Sequence, residues 1–180
     1  MNNLRSFLPS VEKGYLPYYL MVVATAAIGN AVQNLVTLHY TRRIYNGTFV
    51  PNPALSRPGA SAPAASKHSN PEDRVDKLVP ASATGKDVEK ARDQVTPLAA
   101  RIFGVWTIMA GVIRLYAAYD ITNPALFQLA FFTHAIAVVH FTSEVLVFKT
   151  MRPSRELLAP MAGGLSGLIY MSLQWKHYMG

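Results

Sequence analysis

Residues 98–148 read LAARIFGVWTIMAGVIRLYAAYDITNPALFQLAFFTHAIAVVHFTSEVLVF. They contain two apolar runs, 98–119 and 125–148. Each is long enough to cross about 30 Å of hydrocarbon, which takes around 20 helical residues. The Asp120-Ile-Thr-Asn-Pro124 segment between them leaves room only for a tight turn, and Pro124 suits the first position of a new helix. This stretch predicts an antiparallel helical hairpin in a membrane.

Two further runs flank the hairpin. Residues 16–38 carry no charge, and residues 157–175 are rich in Gly and Leu. The prediction is an all-α polytopic membrane protein, one four-helix domain over residues 1–180 with spans at about 16–38, 98–119, 125–148 and 157–175. Composition agrees. Hydrophobic residues make up 51% of the chain and charged residues only 15%, against about 25% in a soluble domain. The net charge of +7 does not indicate a nucleic-acid partner, which needs Lys and Arg clustered on one face. Here they stand singly or in pairs beside apolar runs, as membrane proteins place them. The absence of cysteine excludes disulfides, thiolate catalysis and Cys-ligated metal sites.

The first run is too long for a signal-peptide core and ends at Arg42-Arg43 without a cleavage site, so it is expected to be retained. Residues 47–96 differ in kind. They hold 13 of the 27 charges and are rich in Pro, Ala and Ser, a composition that buries too little apolar area to order itself. They read as a disordered, mobile insert between spans one and two. One short exposed helix is expected in it after the capping-box pattern at Thr84-Gly-Lys-Asp87. Counting Lys and Arg near span ends puts Arg42, Arg43, Lys86, Lys90, Arg92, Lys149, Arg152 and Arg155 on one side and Arg5, Lys13 and Lys176 on the other. The basic side is expected to be cytosolic, with both termini lumenal.

Ionisable groups inside spans need partners or water. Counted from the hairpin turn, Arg101 and Glu144 lie at matching depth, as do Arg114 and Gln128, and each pair is expected to clasp spans two and three. Asn30, Gln33 and Asn34 stand three and four apart and predict a polar stripe on span one. His140 and Glu144 share a helix face, but His134 lies about 120° away, so no three ligands converge and neither a metal nor another cofactor is expected. Gly163-x-x-x-Gly167 offers a small-residue face to another helix, in this chain or another. No P-loop, GxGxxG, GxSxG or HExxH motif occurs. The residues therefore favour binding or scaffolding over catalysis.

Several motifs resemble those of the ergosterol biosynthetic protein 28 family. They are Gly29-Asn30-Ala-Val-Gln33, Tyr45-Asn-Gly47, Ala100-Arg101-Ile-Phe103-Gly104-Val-Trp106-Thr107, Val112-Ile-Arg114, Asp120-Ile-Thr-Asn123, His140-Phe-Thr-Ser143-Glu144 and Leu158-Ala-Pro160. The resemblance covers about residues 15–50 and 97–170; the insert is a departure from short members. It implies a non-catalytic, multi-pass protein of the endoplasmic reticulum membrane. Its implied role is to tether the sterol C-4 methyl oxidase, the C-3 sterol dehydrogenase/decarboxylase and the C-3 ketoreductase, with the sterol C-24 methyltransferase as a further partner; a small sterol-binding carrier or transporter of the membrane is the alternative reading.

Overall fold

The computed structural model describes residues 7–51, 78–80, 92–93 and 95–180. Four long helices dominate: α1 (Leu16–Val36), α3 (Pro97–Tyr119), α4 (Pro124–Leu146) and α5 (Arg155–Leu173). All four are long and apolar enough to cross a membrane. Two short helices, α2 (His39–Ile44) and α6 (Trp175–Met179), follow α1 and α5.

The helix starts follow from capping chemistry. The Thr96 hydroxyl accepts from the Ala99 amide at 3.1 Å, with Pro97 next in the chain. Asn123 Oδ1 accepts from Ala125 and Leu126 ahead of α4, and Ser154 Oγ from Leu157 ahead of α5. Each satisfies amides that a first turn leaves free. The first span ends two residues earlier than its apolar run, because Thr37 is extended (φ −135°, ψ 155°) and the chain restarts as α2.

Within residues 47–96 the described positions form a three-stranded antiparallel sheet of β1 (Thr48–Pro51), β2 (Leu78–Pro80) and β3 (Arg92–Asp93), ordered β2-β1-β3. The sequence reading had no strand here. These runs are too short to show a two-residue alternation, which is why they were not legible. The helix expected after Thr84 lies outside the described residues.

The helices pack in the order α1–α3–α4–α5, and Tyr19 of α1 closes the bundle onto α5. Its hydroxyl donates to the Gly163 carbonyl at 3.1 Å and lies 2.8 Å from Ser166 Oγ. Small residues let α3 approach α1: an added Cβ at Gly104 would stand 3.2 Å from the Ala31 carbonyl, and one at Gly111 3.2 Å from that of Ala24. Close backbone approach of this kind drives helix association in lipid, where burial alone supplies little.

Two apolar clusters fill the bundle ends. At the hairpin end, Leu16, Leu20, Ile121, Phe127 and Met171 are fully buried. Residues 7–13 and the last helix, α6, sit at this end as well, where the Tyr178 hydroxyl donates to the Lys13 carbonyl and that of Tyr119 to Phe7. At the opposite, basic end, Ile44, Phe103, Phe141, Met151 and Leu157 form the second cluster.

Candidate functional site: a polar-ended cavity at the basic end

Beside the second cluster, the α2–β1 junction, α3 and α4 enclose a cavity of about 530 Å³. Its walls are apolar: Val95, Ala99, Ile102, Phe103, Trp106 and Ile136. Ile102 and Ile136 are exposed on the outer sides of their helices, so the cavity opens laterally on the outside of the bundle. Beside these, Tyr45, His140, Glu144 and Thr150 supply polar side chains to the lining.

These four side chains form a chain of contacts. The Tyr45 hydroxyl lies 2.6 Å from His140 Nε2. His140 Nδ1 lies 3.7 Å from Glu144 Oε1, one helical turn on, and the Thr150 hydroxyl donates to Glu144 Oε2. Nδ1 faces a carboxylate, which only accepts, so it carries the ring proton and Nε2 accepts from the phenol. Trp106 backs the imidazole with a ring-centre distance of 5.6 Å, and Phe103 meets the Tyr45 ring edge-on at 5.4 Å. Burial, with the Glu144 carboxylate adding to it, holds the Tyr45 phenol above its ordinary pKa, so it remains a donor.

Backbone pairing holds Tyr45 in place. Gly47 N–H donates to the Thr150 carbonyl at 2.8 Å, Arg152 N–H to Asn46 Oδ1 at 2.6 Å, and the Arg152 guanidinium to Thr48 Oγ1 at 3.0 Å. Outside the cavity, Arg43 stands 3.7 Å from Glu156 and ties α2 to the start of α5.

The expected clasps are not the ones formed. Arg101 is exposed on α3, whereas Glu144 engages His140 and Thr150, so that pair does not meet. Arg114 is buried, but its Nε donates to Thr133 Oγ1 at 2.9 Å and its Nη2 to the Thr133 carbonyl at 3.2 Å, while Gln128 is exposed. Depth matching ignored azimuth. Ala100, Phe103, Gly104, Thr107, Ala110, Gly111, Arg114, Ala117 and Ala118 are the buried positions of α3, a spacing of three and four that includes Arg114 and omits Arg101.

The polar stripe of α1 divides for the same reason. Asn34 is buried and its Oδ1 accepts from Thr41 of α2 at 3.0 Å, while Gln33 is exposed. Asn30 lines a second, narrower cavity of about 170 Å³ together with Arg114 and Thr107. The Gly163–Gly167 face is used within the chain: a Cβ at Gly164 would stand 3.1 Å from Val138, and one at Gly167 would overlap the His134 ring. His134 is fully buried, its ring set against α5 at Gly163 and Gly167. Among the described residues no three His, Asp or Glu side chains gather in a metal-sized group. Sequence reasoning missed Tyr45, Thr133 and Thr150 as site residues. Tyr45 and His140 are 95 positions apart, and no local pattern links them.

Comparison with known proteins adds to this geometry. The family model described as Erg28 like protein matches residues 16–169, all four spans except the last turn of α5. "Ergosterol biosynthetic protein 28" of Gibberella zeae is 41% identical over 179 residues, covering 99% of this chain and 98% of that protein. The protein of the same name from Candida albicans is 30% identical over 174 residues, covering 97% and 95%. A human protein, "Ergosterol biosynthetic protein 28 homolog", is 38% identical over 87 residues, covering 44% of this chain and 62% of its own. No solved structure matches.

Proposed function

The chain belongs to the Erg28-like family, and from that membership we propose that it is a non-catalytic scaffold for the sterol C-4 demethylation enzymes in the endoplasmic reticulum membrane. A role in ergosterol biosynthesis is what its full-length fungal relatives carry in their names, and the multi-pass helical architecture suits a pathway with membrane-dissolved intermediates. The observation that carries the reading is the family match over residues 16–169.

The use of polar side chains supports the non-catalytic part. Arg114 is spent on Thr133, Asn34 on Thr41 and Arg43 on Glu156, all contacts that hold helices together. The outer helix faces are apolar and broad, with Val22, Val32, Val105, Val139 and Ile169 each more than half exposed. Such faces fit neighbouring membrane helices. Holding the C-4 methyl oxidase, the C-3 dehydrogenase/decarboxylase and the C-3 ketoreductase on one platform raises the effective concentration of each next enzyme for a poorly soluble intermediate. The C-24 methyltransferase is a fourth candidate neighbour.

Chemical crosslinking in microsomes followed by capture of the full chain tests this. These enzymes should be recovered, and deletion of the gene should leave each enzyme's isolated turnover nearly intact while 4-methyl sterols accumulate. Normal sterol composition in the deletion strain would sink the proposal.

The orientation has its own reporter. Asn46-Gly-Thr48 is a glycosylation sequon at the basic end. With that end cytosolic, Asn46 stays unmodified, and so does a sequon moved to about residue 65. A glycosidase-sensitive mobility shift at either position places the basic end in the lumen instead.

A further inference from the structure

The cavity at the basic end combines three properties of a ligand site. It is large: about 530 Å³ lies within the roughly 300–1,000 Å³ range of pockets that enclose small molecules. It is amphipathic along its length. From Ile136 to Glu144 the α4 wall runs about 12 Å, taking about 1.5 Å per residue, apolar at Ile136 and polar at His140 and Glu144, with indole, phenyl and aliphatic side chains lining the rest. And its polar end has unspent hydrogen-bonding capacity. His140 Nδ1 and Glu144 Oε1 face each other across 3.7 Å, beyond hydrogen-bonding distance, so a third group can satisfy a donor and an acceptor at once.

The chemistry of that third group follows. Among the described residues, the ionisable side chains lining the cavity are Tyr45, His140 and Glu144, with no Lys or Arg, so a carboxylate or phosphate head would meet a carboxylate with no described lysine or arginine to offset it. A ketone accepts from His140 but offers Glu144 nothing. A hydroxyl accepts from the imidazole and donates to the carboxylate, a charge-assisted bond stronger than a neutral one. The lateral opening past Ile102 and Ile136 lets an apolar body enter from the bilayer without crossing water.

We infer that this cavity binds a neutral membrane amphiphile that carries one hydroxyl on a rigid apolar body, the chemistry of a 3-hydroxy sterol, with the hydroxyl between His140 and Glu144. The choice of a sterol over other hydroxylated lipids rests on the proposed role in ergosterol biosynthesis; the hydroxyl and the neutral charge rest on the cavity alone. A scaffold that holds the lipid on which its partners act would present it as well as gather them.

The test uses the full chain in phosphatidylcholine nanodiscs with a photoreactive 3-hydroxy sterol as probe. Labelling should saturate, concentrate on residues 99–106, and be displaced by ergosterol. The 3-methyl ether of ergosterol, which cannot donate, should compete about tenfold less well, as should sterol against Glu144→Gln, the scale expected for one hydrogen bond to a charged group. Ile136→Trp fills the cavity from its exposed rim and should abolish labelling; Ala99→Leu replaces it should the first variant not give a monodisperse protein. Unsaturable labelling spread over all four spans overturns the proposal. So does equal competition by the methyl ether, or full labelling of the filled variant. Diacylglycerol competing as well as ergosterol overturns the rigid body. Capture of sterol enzymes from microsomes is run on the same variants. Enzymes recovered without saturable sterol labelling defeat the cavity and leave the scaffold standing, whereas labelling without enzymes does the reverse.

Discussion

Gly167→Ala is expected to destabilise the bundle by about 1–3 kcal/mol, the usual cost of overpacking a filled core, and to lower the amount of protein several-fold in cells. The single added methyl would overlap the Cε1 and Nδ1 atoms of His134 and stand 2.7 Å from its Cγ. The imidazole cannot swing clear, because it is fully buried and Tyr19 packs beside it with ring centres 6.3 Å apart. Shortening the obstacle should help. The double variant Gly167→Ala with His134→Ala should melt above Gly167→Ala alone, a coupling that a double-mutant cycle reads directly. Thermal melting followed by size-exclusion chromatography in detergent supplies the numbers, and strictly additive losses would mean that α5 escapes the clash by moving as a body.

The second large effect is expected at Gly47→Ala. Here a Cβ would meet backbone rather than a side chain: the Lys149 carbonyl oxygen, and Thr150 C and O at 2.7 Å. Neither side can yield without breaking the 2.8 Å bond from Gly47 N–H to the Thr150 carbonyl and its neighbours at Asn46 and Thr48. A loss of about 1–3 kcal/mol follows from overpacking of this kind, and Tyr45 is drawn away from His140 with it. Gly29→Ala is the control, since nothing lies within 4 Å of its added Cβ; there alanine should stabilise by up to about 1 kcal/mol through helix propensity. A Gly47→Ala protein that melts with the parent would show that the 149–152 turn is free to shift.

The four spans were legible because lipid imposes a length and a polarity that a run of apolar residues records directly. The apolar runs begin within two positions of the observed starts of α3, α4 and α5, which Thr96, Asn123 and Ser154 cap by accepting from amides only two or three residues away. The pairing of polar groups was less accessible. Arg101 and Arg114 look alike in composition and differ in azimuth, and the Ala and Gly spacing around Arg114 was the signal that separates them. Tyr45 had no such signal. Its partner sits on a helix nearly a hundred residues away, and the junction that aims it depends on a backbone contact between Gly47 and Thr150. Long-range backbone pairing of that sort leaves no periodicity in either segment.

The neighbour against which α1 packs most extensively is α3, not the next element in the chain. About 60 residues separate Val36 from Pro97, so a ribosome working at about 5–20 residues per second delivers the partner about 3–12 s after α1 is finished. During that interval Asn34 can already bond Thr41, seven residues on, but the Ala24 and Ala31 surface that receives Gly111 and Gly104 has nothing to pack on. Co-translational insertion therefore leaves a lone, half-satisfied helix in the bilayer while the insert is still being made. The length of residues 47–96 thus sets a waiting time at the translocon, and shortening it would hasten assembly.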